Sequence, residues 1–349
     1  MEQAEAQIRR VYLGVDVGGT NIRAGVVDES GHILGEARLP SLAETGLRQA
    51  VERSVEAAMS AAEHAGMSLQ QISAIGVGVP GALRSREGVC VYSPNFTDSR
   101  NVPILTPIRQ ALGIPTFVLN DVAVQSLGEH QYGAGRGYSH MVMITLGTGI
   151  GGGAIIDGEL RIGSTEGFAE VGHMTIEPNG PFCGCGNQGC WEALCGRDAI
   201  VRRAVTRIQR GEKTAIAERV DYRLGSITPA LIAHSAEQGD RVAIEVLAEV
   251  GQYLGIGIAN LIQLYNPEVF VIGGGIAQAG RWLFEPILRT VRARAHMVPA
   301  STCRILPAQL GDDAGVIGAS VLAARELDRL AEQAAAASAA AEDGASSSL

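Results

Sequence analysis

The stretch Val11-Tyr-Leu-Gly-Val-Asp16-Val-Gly-Gly-Thr20-Asn21-Ile-Arg-Ala-Gly-Val-Val27 decides how the chain is built. Two apolar, β-branched runs, 11–15 and 22–27, flank a glycine turn that starts at Asp16, and Glu29-Ser-Gly31 closes the second run. The pattern reads as strand, glycine turn, strand. A cousin follows about half a chain later: a strand over 141–145, a glycine turn over 147–153, a strand over 154–156, and Asp157-Gly158 as a hairpin turn. Glycine lets successive backbone amides approach phosphate oxygens, and a threonine hydroxyl, Thr20 or Thr148, adds a donor. The candidate phosphate-holding residues are therefore Asp16, Gly18, Gly19, Thr20 and Asn21 in the first turn and Gly147, Thr148 and Gly149 in the second.

Two matching units point to an α/β chain with a duplicated ribonuclease H-like fold of the actin and hexokinase ATPase type, two domains around a cleft. Other nucleotide-binding patterns fail on context. Gly147-x-Gly-x-x-Gly152 runs into another strand, and Gly76-x-Gly-x-x-Gly81 carries Pro80, whereas a dinucleotide fingerprint opens a helix. Glu212 precedes Lys213-Thr214 where a phosphate loop needs glycine. Phosphates then fall to backbone amides and a metal ion.

With 349 residues, 46% hydrophobic and 19% charged, the chain can bury two cores of ordinary size. The net charge of −9 supplies no electrostatic footprint for nucleic acid. Glycines, Asn260 and charges interrupt the apolar runs, and Met1–Arg10 is polar, so the expectation is a cytoplasmic protein without signal peptide or membrane partner. Cys90, Cys195 and Cys303 are scattered, as reduced packing thiols would be.

Taken in order, residues 1–9 read as a disordered or helical lead-in, 47–63 as a helix, and 72–79 as a buried strand. Pro94-Asn95 orders an amide that suits a sugar hydroxyl, or forms an Asx-turn. A strand over 116–119 delivers Asn120-Asp121 at its carboxyl end, where α/β sheets gather ligand-binding residues, and Asp121 heads a helix over 122–130 that it can also cap. The chain is then helical from after residue 192 to about Asn266. A strand ending at Ile272 leads into Gly273-Gly274-Gly275, a third glycine turn that fits the adenosine end of a nucleotide site. Gly311–Gly315 starts a helix to about Leu330, and 331–349 reads as a frayed Ala- and Ser-rich tail. The expected domains are 10–121 with 312–330 packing back on it, and 122–311.

The densest chemistry lies between Glu170 and Glu192: Glu-Val-Gly-His173, then Cys183-Gly-Cys185-Gly-Asn-Gln-Gly-Cys190-Trp-Glu192. Three thiols and an imidazole suit a closed Cys3His zinc site, and the glycines let the backbone turn around one ion. A disulfide between Cys183 and Cys185 would be strained by so short a loop. If one nitrogen of His173 holds zinc, the other is free for a polar ligand, with Glu170 beside it.

This spacing, Glu-x-Gly-His followed by Cys-x-Cys-Gly-x-x-Gly-Cys-x-Glu, resembles the signature of the ROK family of bacterial sugar kinases and sugar-responsive repressors, and the resemblance covers 11–328. It implies ATP-dependent, Mg2+-assisted phosphorylation of a hexose 6-hydroxyl, glucose foremost, with structural zinc and a homodimer or homotetramer. It assigns Asp121 as catalytic base and gives Asn95, Asn120, Glu170, His173 and Glu192 to the sugar hydroxyls, with Asp16 orienting the metal through water. The family pattern Asn-Asp-Ala-Asn here reads Asn120-Asp121-Val-Ala-Val124, the second Asn falling to valine. Other readings carried forward are a kinase for N-acetylmannosamine, fructose, allose or mannose, a polyphosphate donor, and a non-catalytic sugar sensor. About ten residues precede the first strand, too few for the repressors' helix-turn-helix.

Overall fold

The computed structural model describes residues 10–346, with side chains to 338, so the reading of 1–9 lies outside the described residues. It divides into two compact units. The first holds 10–132, a short piece at 163–167 and everything from Asp312 on; the second holds 133–162 and 168–311.

The opening hairpin is β1 (Val11–Val17) and β2 (Asn21–Asp28), extended by β3 (Ile33–Pro40). Helix α1 (Leu47–His64) buries Leu47, Ala50, Val51, Ser54, Ala57, Ala58, Ala61 and Ala62, a helical stripe of mostly small side chains that lets it lie close on these strands. Next come β4 (Ala74–Val79), the short strands β5 (Ala82–Arg84), β6 (Val89–Tyr92) and β7 (Val102–Pro103), α2 (Leu105–Leu112), β8 (Thr116–Asn120) and α3 (Asp121–Tyr132). The main sheet has order β3-β2-β1-β4-β8, antiparallel through β1 to β3 and parallel through β1, β4 and β8. β5, β6 and β7 make a separate small sheet.

The second unit repeats the plan. Strands β9 (Met141–Leu146), β10 (Ile150–Ile156) and β11 (Glu159–Leu160) form the antiparallel part. Helices α4 (Trp191–Cys195), α5 (Arg197–Gln209), α6 (Ala215–Arg219), α7 (Pro229–Glu237) and α8 (Arg241–Tyr265) follow, then β12 (Val269–Gly273), α9 (Arg281–Arg294) and β13 (Arg304–Pro307). The sheet order β11-β10-β9-β12-β13 has the same antiparallel and parallel halves as the first. This is the duplicated ribonuclease H-like architecture of the actin and hexokinase type.

Asp240 caps α8, its carboxylate accepting from the Ala243 amide at 2.9 Å, and Asn266 ends it in a left-handed conformation. By length and composition this helix could cross a membrane, against the expectation that every apolar run is broken too early. Its apolar residues, from Val242 to Ile262, instead form the middle of the second unit's core, with Phe270, Ile272, Leu283 and Ile287.

The chain returns to the first unit in α10 (Ala314–Ser346). A Cβ on Gly14 or Gly76 would stand 1.9 Å and 1.8 Å from the carbonyls of Val316 and Ala319, so the two glycines let α10 rest directly on the sheet. The reading of 331–349 as a frayed tail is corrected for 331–346, where the helix continues to Ser346, in keeping with alanine's helix propensity, the highest of any residue; 347–349 lie outside the described residues. The first expected domain, drawn to end at 121, differs from the observed unit, which keeps α3 as well because α3 packs on α10 and β4.

Candidate active site

In the first unit, Asp16 stands near the carboxyl end of β1, and the turn after it is closed by the Gly18 amide donating to the Asn21 carbonyl at 2.9 Å. Thr20 is exposed at the turn's tip. A Cβ on Gly19 would lie 3.1 Å from Asn95 Nδ2, so the Asn95 amide is held against this turn. At the carboxyl end of β8, Asn120 Oδ1 accepts from the amides of Val122 and Ala123 at 2.9 and 3.3 Å, while Nδ2 donates to the Gly81 carbonyl at 3.2 Å. Asn120, and not Asp121, is therefore the cap of α3. Asp121 is the first helical residue, in the first turn of α3. One Nδ2 hydrogen of Asn120 remains for another partner.

Burial and neighbouring charge act together on Asp16. Its pKa is pushed up to about 7, first by burial, then by the negative charge of Asp121 and of Asp312, with the Arg23 guanidinium opposing. Arg23 reaches the Asp312 carbonyl, the Asp313 carboxylate at 2.7 Å and Glu36 at 3.0 Å. A Cβ on Gly315 would fall 2.3 Å from Asp16 Oδ2, so the start of α10 forms one wall of this acidic site. Excess carboxylate charge with one guanidinium against it fits a divalent cation. Sequence reasoning assigned Arg23, Asp312 and Gly315 no part here; the signal was Gly311-Asp-Asp-Ala-Gly315, read only as a helix start.

In the second unit the expected turn over 147–153 is shorter than its glycines imply. Only Gly147-Thr148-Gly149 turns, closed by the Gly147 amide on the Gly149 carbonyl at 3.0 Å. Gly151, Gly152 and Gly153 are strand residues paired with Thr145, Ile144 and Met143. Gly152 is needed because the Ala169 carbonyl passes 2.6 Å from where its Cβ would be. Gly273 ends β12, Gly274 crosses the Leu146 carbonyl at a positive φ, and a 3-10 turn from Gly275 to Ala279 precedes α9, so the third glycine turn does not open an α-helix directly.

The sulfur cluster is assembled as its spacing demands. His173 ends a 3-10 turn, Val171–His173, that follows the exposed Glu170. Cys183 and Gly186 form a tight knuckle, with Cys183 N donating to Asn187 O at 2.8 Å and Gly186 N to Cys183 O at 3.0 Å. Cys190 immediately precedes α4. One ring nitrogen of His173 and the sulfurs of Cys183, Cys185 and Cys190 all lie within 4.8 Å of one another, with His173 Nδ1 3.7 Å from Cys183 Sγ and 3.7 Å between the sulfurs of Cys185 and Cys190. A tetrahedral zinc ion, about 2.3 Å from sulfur and about 2.0 Å from nitrogen, separates neighbouring ligands by roughly 3.5–3.8 Å. The four donors fit it. Because Nδ1 faces the sulfurs, Nε2 is left for a different partner. Cys195 is fully buried, its thiol near the Val250 carbonyl, and lies outside the cluster. Glu192, on the first turn of α4, sends Oε2 to the Ile150 amide at 3.0 Å.

Counted from Asn120, the second asparagine of the four-residue family pattern falls on Ala123, a correction to the reading that placed it at Val124; Val124 is wholly buried against Gly78, with its carbonyl where a Cβ on Gly318 would go. The valine side chain packs α3 on β4, and its backbone carbonyl makes the close approach to α10.

Comparison with known proteins gives the chain its family. The ROK family profile matches residues 12–326. The glucokinase of Thermotoga maritima is 36% identical over 311 residues, 88% of this chain and 95% of the relative. That of Streptomyces coelicolor is 37% identical over 324 residues, 90% and 98% of the two chains. Among solved structures, a ROK family glucokinase from Streptomyces griseus in complex with glucose and AMPPNP superposes with a TM-score of 0.79 at 35% identity, covering 90% of this chain and 99% of that one. The chain belongs to the ROK family.

Proposed function

We propose that the protein transfers the γ-phosphoryl group of ATP to the 6-hydroxyl of glucose, as a glucokinase. The observation that carries the reading is the carboxylate pair of Asp121 and Asp16, close enough in charge for one to raise the other's pKa, on a unit that also presents a glycine turn. Asp121, at the first position of α3, directly after β8, accepts the proton of the sugar hydroxyl as that oxygen attacks phosphorus. Asp16 would hold the Mg2+ that accompanies ATP. Bound magnesium supplies positive charge for the transferring group. The amides of Gly18, Gly19, Thr20 and Asn21, and of Gly147, Thr148 and Gly149, donate to phosphate oxygens. Gly273, Gly274 and Gly275 accommodate the adenosine end.

Asn95, Asn120, Glu170, His173 and Glu192 hold the sugar hydroxyls. Each hydroxyl both donates and accepts, so fixed amides and carboxylates reject a stereoisomer by leaving their own groups unpaired. His173, Cys183, Cys185 and Cys190 would hold zinc as a structural ion; four protein ligands would close the site and fix the segment that carries Glu170, His173 and Glu192. The homologues named glucokinase, each matched along nearly its whole length, support the choice of glucose, and family membership supports a homo-oligomer working in the cytoplasm.

The test is a coupled assay for glucose 6-phosphate with Mg-ATP over glucose, mannose, fructose, allose and N-acetylmannosamine. Glucose turned over with the highest kcat/KM supports the reading. Tight binding of a sugar without turnover of any makes the protein a sensor and overturns it.

A further inference from the structure

Glu192 has a second connection that its place among the sugar residues does not explain. Its Oε2 accepts the Ile150 amide, the first of β10, at 3.0 Å, and a Cβ on Gly149 would stand 2.0 Å from the same oxygen. The residue after α4 reinforces the contact: a Cβ on Gly196 would lie 2.9 Å from the Thr148 carbonyl, and the Arg197 amide donates to the Gly147 carbonyl at 3.1 Å. All three residues of the glycine turn are thus braced by the α4–α5 junction. On its other side the carboxylate's Oε1 lies 3.9 Å from Cys183 Sγ, in the sulfur cluster.

We infer that Glu192 is a positioning residue for the phosphate-binding turn, fixing Gly147–Gly149 for nucleotide whether or not sugar is present. The inference rests on the kinase reading above. The turn contains two glycines, whose backbone freedom must be removed before their amides can face phosphate together. Within the turn the closing bond is the Gly147 amide on Gly149, so the conformation depends on outside restraints, and a half-buried carboxylate on an amide is the strongest kind available to it. A residue that served only the sugar would leave nucleotide affinity unchanged when sugar is absent. Glu192 would not.

The experiment is calorimetric titration of the full chain with AMPPNP and Mg2+, without sugar. Glu192→Ala and Glu192→Asp, which remove or shorten the reach to Ile150, are expected to bind the nucleotide about tenfold more weakly or worse. Glu192→Gln keeps an oxygen that accepts from the Ile150 amide and is expected to stay within about threefold of wild type while losing sugar affinity. Thermal melts check folding, and the charge-conserving Asp variant carries the test if the Ala variant does not fold. Unchanged nucleotide affinity in the Asp variant, or a loss in the Gln variant as large, overturns the inference and leaves the kinase reading standing. Wild-type protein that binds no AMPPNP overturns the kinase reading and this inference with it.

Discussion

Asp16 is the residue whose environment says most about its task. A carboxyl raised to about 7 by burial and by Asp121 holds a proton in the folded protein that it would lose in the unfolded one. Between about pH 4 and pH 7 the folded state therefore binds the extra proton, and the group's contribution to stability declines as pH rises through that window. Replacing it with a neutral isostere removes the repulsion. Asp16→Asn, free of nucleotide and magnesium at pH 8, is expected to gain on the order of 1–2 kcal/mol and melt a few degrees higher, while phosphoryl transfer falls at least hundredfold. A lower melting temperature in a pH-dependent scan would show that the carboxylate stabilises the fold and has no cation to wait for. This residue was legible in the sequence because it opens a glycine turn after a strand. The cap of α3 was not: Asn120 and Asp121 are adjacent, both are good caps, and only the bonds from Val122 and Ala123 assign the role.

At the scale of elements, the Cys3His knuckle and α10 each make a separate prediction. The knuckle follows a short 3-10 turn and precedes a five-residue helix, so little regular structure holds it without an ion. Chelation, or Cys185→Ser, is expected to lower the melting temperature by several degrees and weaken glucose binding at least tenfold; equal glucose affinity with metal analysis showing no zinc would remove the ion from the account. In the first unit, Gly14→Ala drives a methyl group into the Val316 carbonyl on α10 and is expected to destabilise by about 2–3 kcal/mol, read as a shifted urea midpoint. A midpoint within error of wild type would mean that α10 does not sit on the sheet as described. The four-ligand spacing was legible because metal ligands are chemically distinctive. The contact of α10 with β1 was less so, since Gly14 and Gly76 read as ordinary strand glycines until a helix from the far end of the chain is laid across them.

At the scale of the molecule, duplication was the most readable feature, because each half repeats the same hairpin ahead of its parallel strands. The two sheets share strand order and direction, although the second unit has five helices between its third and fourth strands where the first has α1, and the first adds a short three-stranded sheet after β4. Where one unit ends was harder to read. The segment 163–167 belongs with the first unit although its neighbours in sequence belong to the second, and α3, which the expected boundary at 121 cut off, stays with β4, β8 and α10. Such allegiance depends on partners distant in sequence, which periodicity along the chain does not report. The central claim is that this duplicated frame performs phosphoryl transfer with Asp121 as base. Its most direct test is rapid-quench, single-turnover phosphorylation of glucose by wild type and Asp121→Asn at saturating Mg-ATP. The account predicts that the chemical step slows by about a hundred- to ten-thousandfold with glucose affinity nearly unchanged. A variant that transfers phosphate at the wild-type rate would contradict it.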